Sequence, residues 1–223
     1  MEKKEYIAIK VSNVSFQYSL VSNENLILFS NLELLIKKGE KIGIFGPSGS
    51  GKSTFFHLLS NNLTPTTGII ESIGEITLLY QIPQLNPYLT CQELIELEFE
   101  RCKNGKLNIT DIEDYLNKFN LKSYANHLAY HLSGGQKQIL SLACGIAKGS
   151  DIIIADEPFS NIDTKTAETI KQTFFKTINE FHITFIMSAH FLPFFQGFDR
   201  IFEIKDRGLV TFPIKNIVEK ASL

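Results

Sequence analysis

A glycine-rich segment carries the clearest chemical signal in the sequence. It reads Gly46-Pro-Ser-Gly-Ser-Gly-Lys52-Ser53 and lies between a predicted strand, Lys41–Phe45, and a predicted helix over residues 52–60. Glycines let the backbone curl so that N–H groups point at phosphate oxygens, and the helix start adds its positive dipole end. Lys52 should reach the β- and γ-phosphates, and the Ser53 hydroxyl should ligate Mg²⁺. The pattern predicts a nucleoside triphosphate site; the alternative is a glycine-rich turn before a helix.

Two consecutive acidic residues could supply the metal ligand and the catalytic carboxylate. Asp156 and Glu157 follow the apolar run Ile152–Ala155, which is typical of a buried parallel strand. Such a strand delivers the next side chain to the carboxyl edge of the sheet, where ligands bind. We expect Asp156 to hold Mg²⁺ and Glu157 to orient or deprotonate the attacking water. The alternative is a pair of acidic residues that open a loop before Pro158.

A second helix start also has the features of an anion site. The segment Leu132-Ser-Gly-Gly-Gln136 precedes an apolar helical run that ends at Ala147. Ser133 is a natural N-cap, and the two glycines expose N–H groups behind it. One nucleotide does not need two such helix ends from the same molecule. The second end should therefore serve a nucleotide held by another subunit, unless it is an ordinary capped helix.

Strands and helices alternate along the chain and predict how these residues are positioned. Besides the elements already named, strands are predicted over residues 7–15, 32–36 and 183–187, and helices over residues 133–147 and 164–180. The pattern indicates an α/β fold with a mainly parallel sheet flanked by helices. We expect a single domain over residues 1–223, with a catalytic core at about 1–81 and 140–223 and a helical sub-domain at about 82–139.

The composition of the chain limits which partners and which cellular compartment are expected. The net charge of −2 gives no basic field for nucleic acid, so nucleic acid is not expected as a partner. The chain has three cysteines, an odd number with no two close together in the sequence, and this favours a reducing, cytoplasmic compartment. The apolar runs are shorter than the roughly 18 residues that cross a bilayer, so any role in a membrane process is expected from the water side.

These motifs together resemble the ATP-binding domain of ABC transporters. Leu132 to Gln136 matches the LSGGQ signature of that family, and the similarity extends from about Ile9 to Val210. The resemblance implies a P-loop NTPase fold with a small antiparallel β sub-domain, and a head-to-tail dimer, either of identical chains or with a related ATPase subunit. Each ATP would lie between the phosphate loop of one chain and Ser133, Gly135 and Gln136 of the other. It also implies a separate transmembrane permease subunit, with this chain peripheral on the cytoplasmic face of the membrane.

The resemblance adds roles for single residues. Tyr18 is similar to the aromatic residue that stacks on adenine, although a half-buried strand tyrosine is the alternative. Gln81 resembles the glutamine that contacts Mg²⁺ and water, His190 resembles the switch histidine at the γ-phosphate, and residues 160–163 resemble the D-loop. The expected catalytic residues are Glu157, His190 and Gln81. The expected metal ligands are Ser53, Gln81 and Asp156. The expected nucleotide contacts are Tyr18, Gly46, Pro47, Ser48, Gly49, Ser50, Gly51, Lys52, Ser53, Thr54, Ser133, Gly134, Gly135 and Gln136.

Other interpretations remain at this point. Ile139 and Cys144 stand where many family members carry arginine, which leaves the subfamily open. The apolar residues Ile82, Leu85, Tyr88 and Leu89 could form a docking surface for the permease or belong to the core. A soluble ABC-type ATPase outside transport is the main alternative function. A small-molecule kinase would need an arginine-rich lid, and the chain has only three arginines. A non-catalytic scaffold would not need Gln81, Glu157 and His190 together.

Overall fold

The computed structural model describes residues 6–19, 25–102, 112–160 and 162–213. A six-stranded sheet lies at its centre, in the strand order β5-β6-β7-β3-β8-β9. Five strands are parallel, and β9 pairs antiparallel with β8. The strands are β3 (Lys41–Phe45), β5 (Ile76–Leu79), β6 (Ile152–Ala155), β7 (Thr184–Ala189), β8 (Arg200–Lys205) and β9 (Gly208–Phe212). The predicted mainly parallel sheet is confirmed.

The register of this sheet brings three strand ends together. Ala155 at the end of β6 pairs with Met187 of β7, and Phe45 at the end of β3 pairs with Ala189. Because parallel strands end at the same edge, the residues that follow β3 and β6 meet the end of β7. This edge is where the predicted chemistry has to occur.

Helices cover both faces of the sheet. The helices that pack on it are α1 (Lys52–Leu59), α4 (Gly134–Ala147) and α5 (Thr164–Glu180). Neighbouring residues of β6 point to opposite faces: Ile152 and Ile154 pack in the apolar cluster that contains α1, and Ile153 packs in the cluster that contains α4 and α5. A sheet buried on both sides explains why β6 is apolar throughout and why every residue of β7 is buried.

A separate antiparallel sheet confirms the small β sub-domain. Its strands are β1 (Ile7–Ser19), β2 (Asn25–Lys37) and β4 (Thr67–Ser72), in the order β2-β1-β4. In β2 the alternation is clear, since Leu32, Leu34 and Ile36 are buried while their neighbours face outward. Both strands predicted in this region are confirmed, and both are longer than expected.

The region between β5 and α4 is helical, as the sequence predicted. It contains α2 (Cys91–Arg101) and α3 (Ile112–Lys118), followed by short 3₁₀ turns. Thr90 and Glu93 form a capping box at the start of α2. The Glu93 carboxylate accepts hydrogen bonds from the backbone N–H of Thr90 and from its hydroxyl, and these bonds, the backbone one first, lower the pKa of the Glu93 carboxyl. Since α4 runs unbroken past residue 139, the exact sub-domain limit there stays a prediction.

Candidate functional site

The glycine-rich loop encloses the end of its own lysine. Gly49 and Gly51 have φ angles of 79° and 101°, which only glycine adopts at low cost. The Lys52 ammonium is buried, and its Nζ donates to the carbonyl oxygens of Gly46 and Pro47 at 2.9 and 3.1 Å. Strand β3 therefore ends in a tight loop that opens α1, with a positive charge held inside the loop.

The acidic pair lies directly against this loop. The Ser53 hydroxyl donates to Oδ2 of Asp156 at 2.5 Å, although the two residues are 103 positions apart. Oε1 of Glu157 is 3.6 Å from Nζ of Lys52. His190 reaches the same carboxylate from the end of β7, with Nδ1 3.3 Å from Oε2. The structure thus brings together four of the predicted residues with Lys52.

A cavity of about 400 Å³ opens beside these groups. Gln81 reaches it from the end of β5. Two apolar side chains of β2 also line it, Leu26 and Leu28, which sequence reasoning did not identify. The available signal was the apolar run Leu26-Ile27-Leu28-Phe29 shortly before the glycine-rich loop. The residues that line the cavity are Leu26, Leu28, Ser48, Gly49, Gly51, Lys52, Ser53, Thr54, Gln81, Asp156 and Glu157.

Tyr18 lies next to this cavity. Its hydroxyl is 3.3 Å from Oγ1 of Thr54, and its ring stands edge-on to Phe16 at a centroid distance of 4.9 Å. The side chain is 39% exposed. A partly exposed ring whose hydroxyl contacts Thr54, a residue of the cavity lining, is suited to stack on a planar base.

The second helix start has its own site. Ser133 caps α4 by accepting from the Gln136 N–H, and Oε1 of Gln136 accepts from the Ser133 N–H at 2.8 Å. A cavity of about 430 Å³ lies here, and it shares no lining residue with the cavity at the phosphate loop. It is lined by Ser133, Gly134, Gly135, Gln136, Ile139, Ile162, Asp163 and Thr166. Within one chain, the two helix starts therefore do not form a single site.

The side chains at the phosphate-loop cavity carry groups that suit Mg²⁺ and a triphosphate. The hydroxyl of Ser53, the carboxylate of Asp156 and the amide of Gln81 offer oxygen ligands of the kind that Mg²⁺ prefers. This ion usually binds through one or two carboxylates together with substrate phosphates and water. The buried Ser50 hydroxyl, which does not line the cavity, has no hydrogen-bond partner among the described residues. Lys52 supplies the opposite charge.

The fold and this site define a P-loop nucleotide-binding ATPase domain. A family model described as ABC transporter matches residues 29–160. The chain belongs to the ABC transporter family, as one of its ATP-binding subunits, which are ATPases. Subunits of this kind bind ATP, dimerise and work with membrane permease subunits.

Individual relatives agree with this assignment. The ABC transporter ATP-binding protein YknY of Bacillus subtilis is 31% identical over 91% of this chain and 95% of its own length. The ATP-binding protein MJ0796 of Methanocaldococcus jannaschii is 32% identical over 89% and 93%. Its solved dimer with ADP and phosphate superposes with a TM-score of 0.80 at 30% identity, over 92% of this chain and 98% of that one. A lacticin-481 transport and processing protein of Lactococcus lactis is 30% identical over 98% of this chain, which spans 33% of that protein.

No helix in the described part of the chain is long and apolar enough to cross a membrane.

Two of the arginines that a kinase lid would need form ion pairs elsewhere in the structure. Arg200 pairs with Glu40 at 2.6 Å, and Arg101 pairs with Glu98 at 3.0 Å. None of these four residues lines the phosphate-loop cavity.

Proposed function

We propose that this chain binds Mg²⁺-ATP at the phosphate-loop cavity and hydrolyses it at a head-to-tail dimer interface, to drive transport through a separate permease. The observation that carries the proposal is the gathering of Lys52, Asp156, Glu157 and His190 at one edge of the sheet. A scaffold would have no need to hold a lysine, two carboxylates and an imidazole against each other, because buried and half-buried charges are costly to keep.

In this proposal each side chain has one task. Lys52, which lies within the loop, attracts the β- and γ-phosphates. Bound Mg²⁺ would neutralise phosphate charge, held by Ser53 and Asp156 with Gln81 nearby. Glu157 accepts a proton from water or orients it for attack. Nδ1 of His190 lies 3.3 Å from the carboxylate of Glu157, and the His190 side chain is 59% exposed. This imidazole can therefore contact the terminal phosphate of a bound nucleotide.

The dimer is supported by the separation of the two helix starts. The cavity at Ser133 to Gln136 shares no residue with the phosphate-loop cavity, so a phosphate that binds at this helix start would come from a nucleotide held by another chain. The relative MJ0796 is dimeric in the solved structure with ADP and phosphate. We propose the same assembly here, between identical chains or with a related ATPase subunit.

The permease would dock beside Gln81 on the cytoplasmic face of the membrane. A groove of about 370 Å³ between the sheet and α2 is lined by Leu85, Leu94 and Leu97 on its apolar side, with the Glu98–Arg101 ion pair among its polar residues. Leu85 and Leu89 pack against the core, whereas Ile82 and Tyr88 are 73% and 81% exposed. The exposed pair therefore favours a docking surface over a core role for this segment.

The test compares the wild type with Glu157→Gln. We expect the variant to lose about 10²- to 10⁴-fold in kcat, the range for removal of a general base, while it still binds ATP. It should run as a dimer in size-exclusion chromatography with Mg²⁺-ATP. Glu71→Gln is the matched control, since Glu71 forms an exposed pair with Lys10 at 3.8 Å and does not line the cavity. A Glu157→Gln variant that keeps full activity and stays monomeric would refute the proposal.

A further inference from the structure

Ser188 has an arrangement that the roles assigned so far leave unexplained. It lies in β7, two residues before His190, and is fully buried. Its hydroxyl donates to Oδ1 of Asp156 at 2.5 Å and accepts from the backbone N–H of Glu157 at 2.9 Å. One hydroxyl on β7 therefore holds both acidic residues that follow β6.

The two bonds act on different properties of the acidic pair. The carboxylate of Asp156 is held at both oxygens, by Ser188 at Oδ1 and by Ser53 at Oδ2, so its plane is fixed. Glu157 has a φ angle of 46°, in the left-handed region that costs free energy for residues other than glycine. The bond from its N–H to Ser188 stabilises this conformation, which directs the side chain toward Lys52 and His190.

We infer that Ser188 is a positioning residue, which orients Asp156 for the metal and Glu157 for catalysis. This inference rests on the proposed function. Partners that orient metal ligands typically contribute 10- to 100-fold to metal affinity or activity when they are removed. Ser188 does not line the phosphate-loop cavity, so nucleotide binding without metal should not depend on it.

The experiment measures metal and nucleotide binding apart from turnover. Ser188→Ala removes the hydroxyl, Ser188→Cys fills similar space with a weak hydrogen-bonding group, and Ser188→Thr restores a hydroxyl. Mn²⁺ binding to the purified chain with ADP is followed by electron paramagnetic resonance, and ADP affinity is measured separately in EDTA. The control is Thr184→Val, at the other end of β7, which loses a hydroxyl that accepts from the Gly39 N–H at 3.0 Å.

We expect Ser188→Ala and Ser188→Cys to bind Mn²⁺ about 10- to 100-fold more weakly and to lower kcat, with ADP affinity in EDTA within about twofold of wild type. Ser188→Thr should recover most of the Mn²⁺ affinity, and Thr184→Val should keep all of it. Wild-type Mn²⁺ affinity in both Ser188→Ala and Ser188→Cys, or an equal loss of ADP affinity in EDTA, would overturn the inference. A wild type that binds Mn²⁺-ADP no better than ADP would instead overturn the proposed metal site.

Discussion

Gly43 of β3 has no side chain, and the ring of Phe195 in the core occupies the space where a Cβ atom would lie. A Cβ atom at this position would lie 2.5 Å from Cδ1 and 2.8 Å from Cε1 of Phe195, distances that real side chains do not show. The Phe195 ring is fully buried and packs edge-on against Phe198, with centroids 5.4 Å apart, so it cannot move aside freely. We therefore expect Gly43→Ala to lower the free energy of unfolding by about 1–3 kcal/mol, the usual cost of overpacking a core.

Urea denaturation followed by circular dichroism measures this loss, and a double-mutant cycle tests its cause. In a Phe195→Leu background the ring is gone, so Gly43→Ala should cost less by about 1 kcal/mol or more. Gly208→Ala is the control, because a Cβ there would have only an ordinary contact at 3.6 Å with the Lys205 carbonyl oxygen, and its effect should stay within about 0.5 kcal/mol. The reasoning fails if Gly43→Ala is as stable as wild type, or if its cost is the same in both backgrounds.

Two further predictions concern the helical region. Thr90→Ala removes the hydroxyl that accepts from the Glu93 N–H at 3.2 Å, so it should cost about 1 kcal/mol in urea denaturation, whereas Thr90→Ser should not. Burial raises the pKa of the Cys144 thiol, so this thiol stays protonated in the folded state at pH values where it ionises in the unfolded chain. Its contribution to the free energy of unfolding therefore falls as the pH rises above about 8.5, the usual pKa of a cysteine thiol. Cys144→Ala should make the fall in unfolding free energy from pH 8 to 10 shallower, and an unchanged slope would contradict this reading.

Local patterns predicted the elements that carry the chemistry. Strand β3, helix α5 and strand β6 have the predicted limits, because each has a strong local signal: the glycine-rich loop after β3, the Asp163 cap of α5 and the apolar run of β6. Strand β4 escaped notice because most of its residues are exposed and show no apolar alternation. Strands β8 and β9 also went unpredicted, and β9 is mostly half-buried or exposed.

The sequence by itself determined which residue types are available: a phosphate loop with Lys52, an acidic pair after a buried strand, and a second helix start capped by Ser133. Only the tertiary structure decided which of them meet. Ser53 and Asp156 touch across 103 positions, and Ser188 joins the acidic pair, because the pairing of β6 with β7 and of β7 with β3 sets their register. Such long-range register depends on the packing of the whole sheet, and no local spacing of residues contains it.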